Sequence, residues 1–449
     1  MPIDIAILRN DPDKVRESQK KRFASVELVD ECIALDNEWR AALAEKDGLA
    51  ADRNAIQKEV GKKKKAKEPC DDLVAQIGEI KGKVAALEEK VKEVEARLQV
   101  KFAEIGNIVD NDEEYPIPIS NDEDKDAVTI KQWGTKPLGP AMLHHHDILY
   151  MIGGYEPDAG VKVAGHRAYF LTDVGVMLNQ ALIQYGLHFL RRKGYKVLQP
   201  PYFMNKDVMA GVAQLAQFDE ELYHVKGDDE KYLIATSEQP ICAFHKDEWI
   251  EQKNLPKRYG GISTCFRKEA GSHGRDVWGI FRVHQFEKVE QFILCDGDIE
   301  TSRKMQHELL ECSEEFYQAL GLPYKVINIV SGELNNAANR KFDLEAWFPG
   351  YDSYRELVSC SNCTDYQSRA MKTTTGAGKD KKFVHMLNST LVATTRTLCC
   401  ILENFQTPNG VHVPEVLVPF MGGMTHIPYV RGPKLVKETK GKGKGGKKK

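Results

Sequence analysis

The chain has 449 residues, of which 42% are hydrophobic and 29% charged, and a formal net charge of −3. That composition suits a soluble protein long enough for more than one core. No apolar run reaches the roughly eighteen residues a membrane-spanning helix needs, so no membrane role is expected.

The opening stretch "MPIDIAILRNDPDKVRESQKKRF" lacks a long apolar segment and carries Asp4, Asp11 and Asp13 early, against a secretory or mitochondrial leader. The ten cysteines are scattered, and a chain of this size needs no disulfides, so reduced thiols in a cytoplasmic protein are expected. Residues 28–60 carry a heptad stripe: Leu28, Cys32, Leu35, Trp39, Ala42, Leu49, Ile56 and Val60. A second stripe runs from Leu73 through Ile77, Ile80, Val84, Leu87, Val91, Val94 and Leu98 to Ile105. Between them "GKKKKAKEPC" is expected to end both helices, at Gly61 and Pro69. So short a link folds one helix back on the other, predicting an antiparallel two-helix coiled coil over about 26–105. At 1.5 Å per residue this arm is roughly 50 Å long. Lys62, Lys63, Lys64 and Lys65 fall at its far end, where a basic tip is a reasonable phosphate contact.

An N-terminal domain is thus expected over 1–110, followed by an acidic, proline-containing linker over 111–127. From 128 to 432 strands and helices mix. "TDVGVMLNQALIQYGLHFLRRKGY" reads as a helix, and "YKVLQPPYF", "KYLIATSE", "YKVINIVS" and "FDLEAWF" read as strands. Polar turns, not regular crossover helices, separate these strands, so the fold class is α+β with an antiparallel sheet flanked by helices. No P-loop and no strand–GxGxxG–helix unit is present, so any nucleotide is held by other means. The segment 433–449, "PKLVKETKGKGKGGKKK", is a low-complexity lysine-rich tail expected to be disordered.

The stretch "CFRKEAGSHGRDVWGIFRVHQFEKVEQF", residues 265–292, carries the chemistry. Alternation places Arg267 and Glu269 on one face of a first strand. It places Arg282, His284, Phe286, Lys288 and Glu290 on one face of a second. Charge on a sheet face is costly unless something of matching charge sits on it. Arginine forks with a single ring suit a flat anionic ligand, the forks on phosphate oxygens and the ring on a base. Spacing alone is equally compatible with an exposed hairpin laced by cross-strand ion pairs.

"FRKE", the loop and "FRVHQFEKVE" resemble motif 2 of the class II aminoacyl-tRNA synthetases, in detail that of the seryl-tRNA synthetases. "GYKVLQPPYF" with Pro201 resembles their motif 1, and "LNSTLVATTRTL" with Arg396 their motif 3. "IATSEQP" and "YRELVSCSNC" resemble further blocks of the seryl enzymes, and the N-terminal arm agrees in position and kind. The resemblance implies a cytosolic ATP-dependent ligase that makes seryl-adenylate and passes the seryl group to tRNA(Ser), with the charging of tRNA(Sec) left open by the sequence. It implies a class II catalytic domain, homodimerisation through motif 1, and an arm that grips the long variable arm of the tRNA.

Residue by residue, it puts Arg267 on the α-phosphate and the serine carboxylate. Glu269 takes the adenine amino group, Phe286 stacks on the adenine, and Arg396 covers its other side and reaches the γ-phosphate. Arg282 lies by the nucleotide. Glu356 and Ser359 ligate Mg²⁺ bridging the ATP phosphates. Thr236 and Glu290 grip the serine amino group, Glu290, Asn388 and Thr390 read its hydroxyl, and Glu238 belongs to the same subsite. The catalytic set is Arg267, Glu356 and Arg396. Two departures are visible: motif 3 lacks glycines, and Val277 and Trp278 stand where the family usually has threonine and often arginine.

Other clusters read as decoys. "CSNC", Cys360 to Cys363, lacks the second pair that a zinc site needs, so no zinc is expected. His144, His145 and His146 are consecutive and converge poorly on one ion, and Arg275 reads as a solvated loop side chain. A catalytically silent RNA-binding relative, or a synthetase for another amino acid, remain the competing classes.

Overall fold

Two long helices grow from the heptad stripes. In the computed structural model, which describes residues 3–137, 142–213, 221–227, 229–269 and 278–433, they are α3 (Glu27–Ala66) and α4 (Asp71–Phe102), preceded by α1 (Ile5–Asn10) and α2 (Pro12–Lys21). Arg275, Val277 and the tail from 434 onward lie outside the described residues. α3 and α4 pack side by side as the antiparallel arm and are joined across by Lys101–Glu31 at 3.1 Å and Lys90–Glu38 at 3.6 Å. Their base is rooted in a small core of Leu8, Val15, Val29, Cys32, Phe102 and Ile105.

The end of α3 differs from expectation. The helix continues through Gly61 and closes six residues later, at left-handed Lys67 (φ 59°), whose N–H reaches the Lys63 and Lys64 carbonyls. An interior glycine costs only about 1 kcal/mol. The lysines that follow gain from the negative end of the helix dipole. Lys62–Lys65 therefore occupy the last helical turn of α3 instead of the loop, and the arm lengthens to about 60 Å.

The larger half of the chain is built on one eight-stranded sheet. Its strands are β1 (Val128–Trp133), β2 (Lys196–Leu198), β3 (Lys257–Phe266), β4 (Gln285–Cys295), β5 (Tyr324–Asn328), β6 (Arg340–Phe348), β7 (Ser353–Asn362) and β8 (His385–Ala393). Their spatial order is β1-β5-β6-β7-β8-β4-β3-β2. Every pairing is antiparallel except the edge pair β2–β3, which is parallel. Helices α5 (Val174–Arg192), α6 (Ile299–Leu320) and α7 (Thr394–Asn404) cover the sheet, and one large apolar core joins them to it. α6 is capped at its start by Asp298, which accepts from the Glu300 and Thr301 N–H groups, and closes on Gly321 at φ 73°. The stretch "YKVLQPPYF" forms two strands and not one: β2 stops at Leu198 and a second piece, Phe203–Asn205, joins a small separate sheet. Pro200 and Pro201 between them have no N–H to give a ladder.

The acidic segment 111–127 runs against the half that carries this sheet. Asp110 and Asp112 pair with fully buried Arg340 at 3.3 and 2.6 Å, and Asp110 with Arg303 at 2.6 Å.

Candidate active site

A cavity of about 260 Å³ opens on the sheet where β4, β7 and β8 lie side by side, closed by the start of α7 and by the turn at 236–238. All twelve candidate residues line it: Thr236, Glu238, Arg267, Glu269, Arg282, Phe286, Glu290, Glu356, Ser359, Asn388, Thr390 and Arg396. Seven pocket residues were not singled out by their spacing: Phe281, Val283, Asn335, Leu357, Ser361, Ala393 and Thr395. Lys288, visible in the alternation but given no role, lines it as well.

The hairpin strands are shorter than the alternation implies. β3 ends at Phe266 and β4 begins at Gln285, so Arg267, Glu269 and Arg282 stand on the chain just beyond the ladder. They stay paired nonetheless. The Arg267 N–H donates to the His284 carbonyl at 2.9 Å, and His284 Nδ1–H donates back to the Arg267 carbonyl at 2.9 Å. His284 is spent on this clasp and does not line the cavity. Glu269 adopts a left-handed backbone (φ 50°), an unusual conformation for a residue with a side chain. Its carboxylate lies 3.6 Å from Arg282 and 4.0 Å from Arg167. The Arg267 guanidinium sits 5.2 Å over the Phe286 ring.

Within β4, strict alternation turns Phe286, Lys288 and Glu290 to the cavity. Lys288 and Glu290 form a close ion pair with both side chains almost fully buried. Thr236 Oγ1–H points at Glu290 Oε2 from 3.5 Å, and Asn388 and Thr390 stand beside them on β8, both buried. Glu238 accepts from Gln367 Nε2 at 2.8 Å and Asn388 Nδ2 at 3.0 Å. Desolvation, reinforced by the Glu290 charge, pushes its carboxyl above the usual range.

Two β-bulges complete the wall. Leu344 pairs with Val358 but Glu345 with Glu356, so Leu357 is an extra residue on β7. Glu356 and Ser359, three apart, would otherwise face opposite sides of a regular strand; with the bulge both reach the cavity. Leu391 is likewise extra on β8, which brings Thr390 and Ala393 to one face.

Arg396, in the first turn of α7, donates to Glu356 Oε2 at 3.1 Å and lies 5.0 Å over the Phe281 ring. Desolvation works against ionising Glu356, yet Arg396, Lys341 and Arg267 hold its carboxyl below the usual range. Beside it Asp343 Oδ1 is buried without a hydrogen-bond partner. An ionised carboxylate and a hydroxyl on one wall are hard oxygen donors of the kind that fits Mg²⁺.

The remaining clusters have structural roles. Buried His145 donates from Nδ1 to Glu403 at 2.9 Å. Burial pushes the Cys360 thiol up to about 12 and the Cys363 thiol well above its ordinary value, so both are neutral. Among the described residues no group of three or more histidine, cysteine, aspartate or glutamate side chains is placed to share a metal ion.

A single sheet carrying converging arginines, a stacked ring and an acidic pocket defines a class II aminoacyl-tRNA synthetase core. Residues 223–405 match the family described as tRNA synthetase class II core domain (G, H, P, S and T), and residues 3–109 match the Seryl-tRNA synthetase N-terminal domain. The chain is 54% identical over 440 residues to the cytoplasmic serine–tRNA ligase of Dictyostelium discoideum, covering 96% of each chain. It superposes on the crystal structure of the cytoplasmic serine–tRNA ligase of Naegleria fowleri in complex with AMP with a TM-score of 0.85 at 46% identity, covering 95% of this chain and 99% of that one. On the seryl-tRNA synthetase of Pyrococcus horikoshii complexed with ATP the TM-score is 0.88 at 36% identity, covering 96% and 100%. The chain belongs to the seryl-tRNA synthetase family.

Proposed function

We propose that the chain activates L-serine with ATP to seryl-adenylate and pyrophosphate, then transfers the seryl group to the 3′ end of tRNA(Ser), and of tRNA(Sec). The observation that carries this reading is the convergence of three arginines, one stacked ring and a buried Lys288–Glu290 pair on one cavity. In the first step the serine carboxylate attacks the α-phosphorus and pyrophosphate leaves. The protein's part is to hold nucleophile and electrophile together and to neutralise charge, with no covalent enzyme intermediate.

Arg267, over the Phe286 ring, bridges the α-phosphate and the serine carboxylate. The adenine stacks on Phe286 and gives its amino group to Glu269. Arg282 lies along the nucleotide, and Arg396 moves from Glu356 onto the γ-phosphate. Glu356 and Ser359 would hold Mg²⁺, which supplies further neutralisation of the ATP phosphates. Thr236 and Glu290 take the serine ammonium, with Glu238 beside them. Glu290, Asn388 and Thr390 take the hydroxyl, so alanine would leave buried polar groups unpaired.

Lys62–Lys65 at the arm tip contact the backbone of the long variable arm of the tRNA, a mode of recognition that needs no anticodon. The protein works in the cytoplasm as a homodimer. Supporting the dimer, an apolar groove of about 470 Å³ runs beside the edge strand β2, flanked by Phe203 and Phe244, which are 50% and 53% exposed. The deciding experiment is ATP–pyrophosphate exchange with each of the twenty amino acids. Exchange that depends on serine alone is expected; exchange with a different amino acid, or none, overturns the reading.

A further inference from the structure

The N-terminal domain meets the catalytic half along a seam built on Arg22 and Asn107. Arg22 is 6% exposed, and the acceptors it uses are main-chain carbonyls. Its Nε–H donates to Asn107 at 2.8 Å, Nη1 to Leu334 and Asn335 at 3.3 and 3.2 Å, and Nη2 to Ala338. Burial lowers its pKa to about 10, so the fold keeps a desolvated cation here. A guanidinium fork can reach both segments at once, which a single ammonium cannot. The fit is tight, because a Cβ on Gly106 would fall 2.8 Å from Arg22 Cδ and Nε.

Asn107 completes the seam. Its N–H donates to Asn336 O at 2.7 Å, and its Nδ2 to Ala337 O, Cys363 O and Thr364 Oγ1, each at 2.9 Å.

Both branches lead to the cavity. The loop gripped by Arg22 carries Asn335 to its rim, with Asn335 Oδ1 turned back onto the Ala337 and Ala338 N–H groups at 3.1 and 3.0 Å. On the other branch Cys363 Sγ accepts from Asn388 Nδ2 at 3.6 Å, and the same nitrogen donates to Glu238 at 3.0 Å. Asn388 and Glu238 belong to the amino-acid end of the cavity, whereas Arg396 marks the nucleotide end.

We propose that Arg22 and Asn107 are positioning residues for the amino-acid subsite: the RNA-binding half of the chain holds the serine-reading wall in shape through the loop 334–338 and the Cys363 turn. This rests on the reading of the cavity given above. Its consequence is unusual for residues outside the catalytic domain: substituting them weakens amino-acid activation with no RNA present.

The test is steady-state ATP–pyrophosphate exchange, without tRNA, on the full chain carrying Arg22→Met, Arg22→Lys or Asn107→Ala. The serine KM should rise roughly tenfold in Arg22→Met and Asn107→Ala, with the ATP KM within about twofold of the unmodified chain. Arg22→Lys should fall between. Asn107→Ala changes no charge and decides the matter if Arg22→Met does not fold. An unchanged serine KM in folded Asn107→Ala overturns the proposal. So does an equal rise in both KM values with falling kcat, the mark of general loosening. Absence of serine-dependent exchange in the unmodified chain would instead overturn the site reading.

Discussion

Removing Glu290 tests the amino-acid subsite most directly, because its carboxylate has two separable duties. It neutralises Lys288 in a nearly fully buried pair, and in the proposed reading it takes both the ammonium and the hydroxyl of serine. Breaking a buried pair by removing one partner costs about 3–5 kcal/mol of stability, because a charge is left uncompensated. Two hydrogen bonds to a charged group contribute about 1.5–3 kcal/mol each, so losing both lowers kcat/KM for serine roughly a hundred- to ten-thousandfold. The Lys288→Met/Glu290→Gln double variant separates the two effects. With both charges gone, stability should return close to that of the unmodified chain, while serine activation should stay as poor as in Glu290→Gln alone. Thermal unfolding reads the first quantity and pyrophosphate exchange the second. If the double variant regains exchange along with stability, Glu290 serves the fold and not the substrate.

Three further outcomes follow from other parts of the molecule. Replacing Lys62–Lys65 by alanine should leave serine-dependent exchange unchanged but raise the KM for tRNA(Ser), and flatten its salt dependence by a slope of up to about four; equal aminoacylation in a salt titration would show that the arm tip does not touch RNA. Glu238→Gln should stabilise the protein near neutral pH. The Glu238 carboxyl is raised in the fold by desolvation and by Glu290, so the folded chain binds this proton more tightly than the unfolded chain does. Stability is then lost as pH rises from the ordinary carboxylate range through the folded value, and the advantage of glutamine should vanish on acidification; an equal advantage at all pH values would refute the assignment. Phe203→Asp with Phe244→Asp should shift sedimentation from dimer to monomer, and an unchanged dimer would move the interface elsewhere.

How far the sequence carries the site depends on where the strands are regular. Phe286 and Glu290 are legible because β4 alternates without interruption, and Lys288 between them was on view in the same pattern. Glu356 and Ser359 share a face only because Leu357 bulges out of β7, and no period-two reading can place them together. Arg22 sits in "SQKKRF", a run that looks like any solvated basic surface. Its burial comes from the Asn107 carbonyl and from three carbonyls more than three hundred residues away, which no local pattern encodes. The arm shows the converse. Its heptads fix two helices and their pairing, but propensity at Gly61 misplaces the end of the first, because capping at Lys67 and the helix dipole together outweigh one glycine.

The cost of placing charge on a sheet is met here by pairing within the protein itself. Lys288 holds Glu290, Arg396 holds Glu356, Arg282 faces Glu269, and Arg267 lies over the Phe286 ring. A ligand entering such a cavity need not create a buried charge; it exchanges one partner for another. In the proposed reading the γ-phosphate takes Arg396 from Glu356, the adenine amino group engages a carboxylate already opposite Arg282, and the serine ammonium joins Lys288 at Glu290. Exchange of this kind makes binding depend on geometry more than on net charge, because a partner that arrives out of place breaks one pair without completing another. That is why the seam at Arg22 and Asn107 bears on catalysis: a wall that drifts by a fraction of a hydrogen-bond length leaves Glu238 and Asn388 paired with each other instead of with the amino acid.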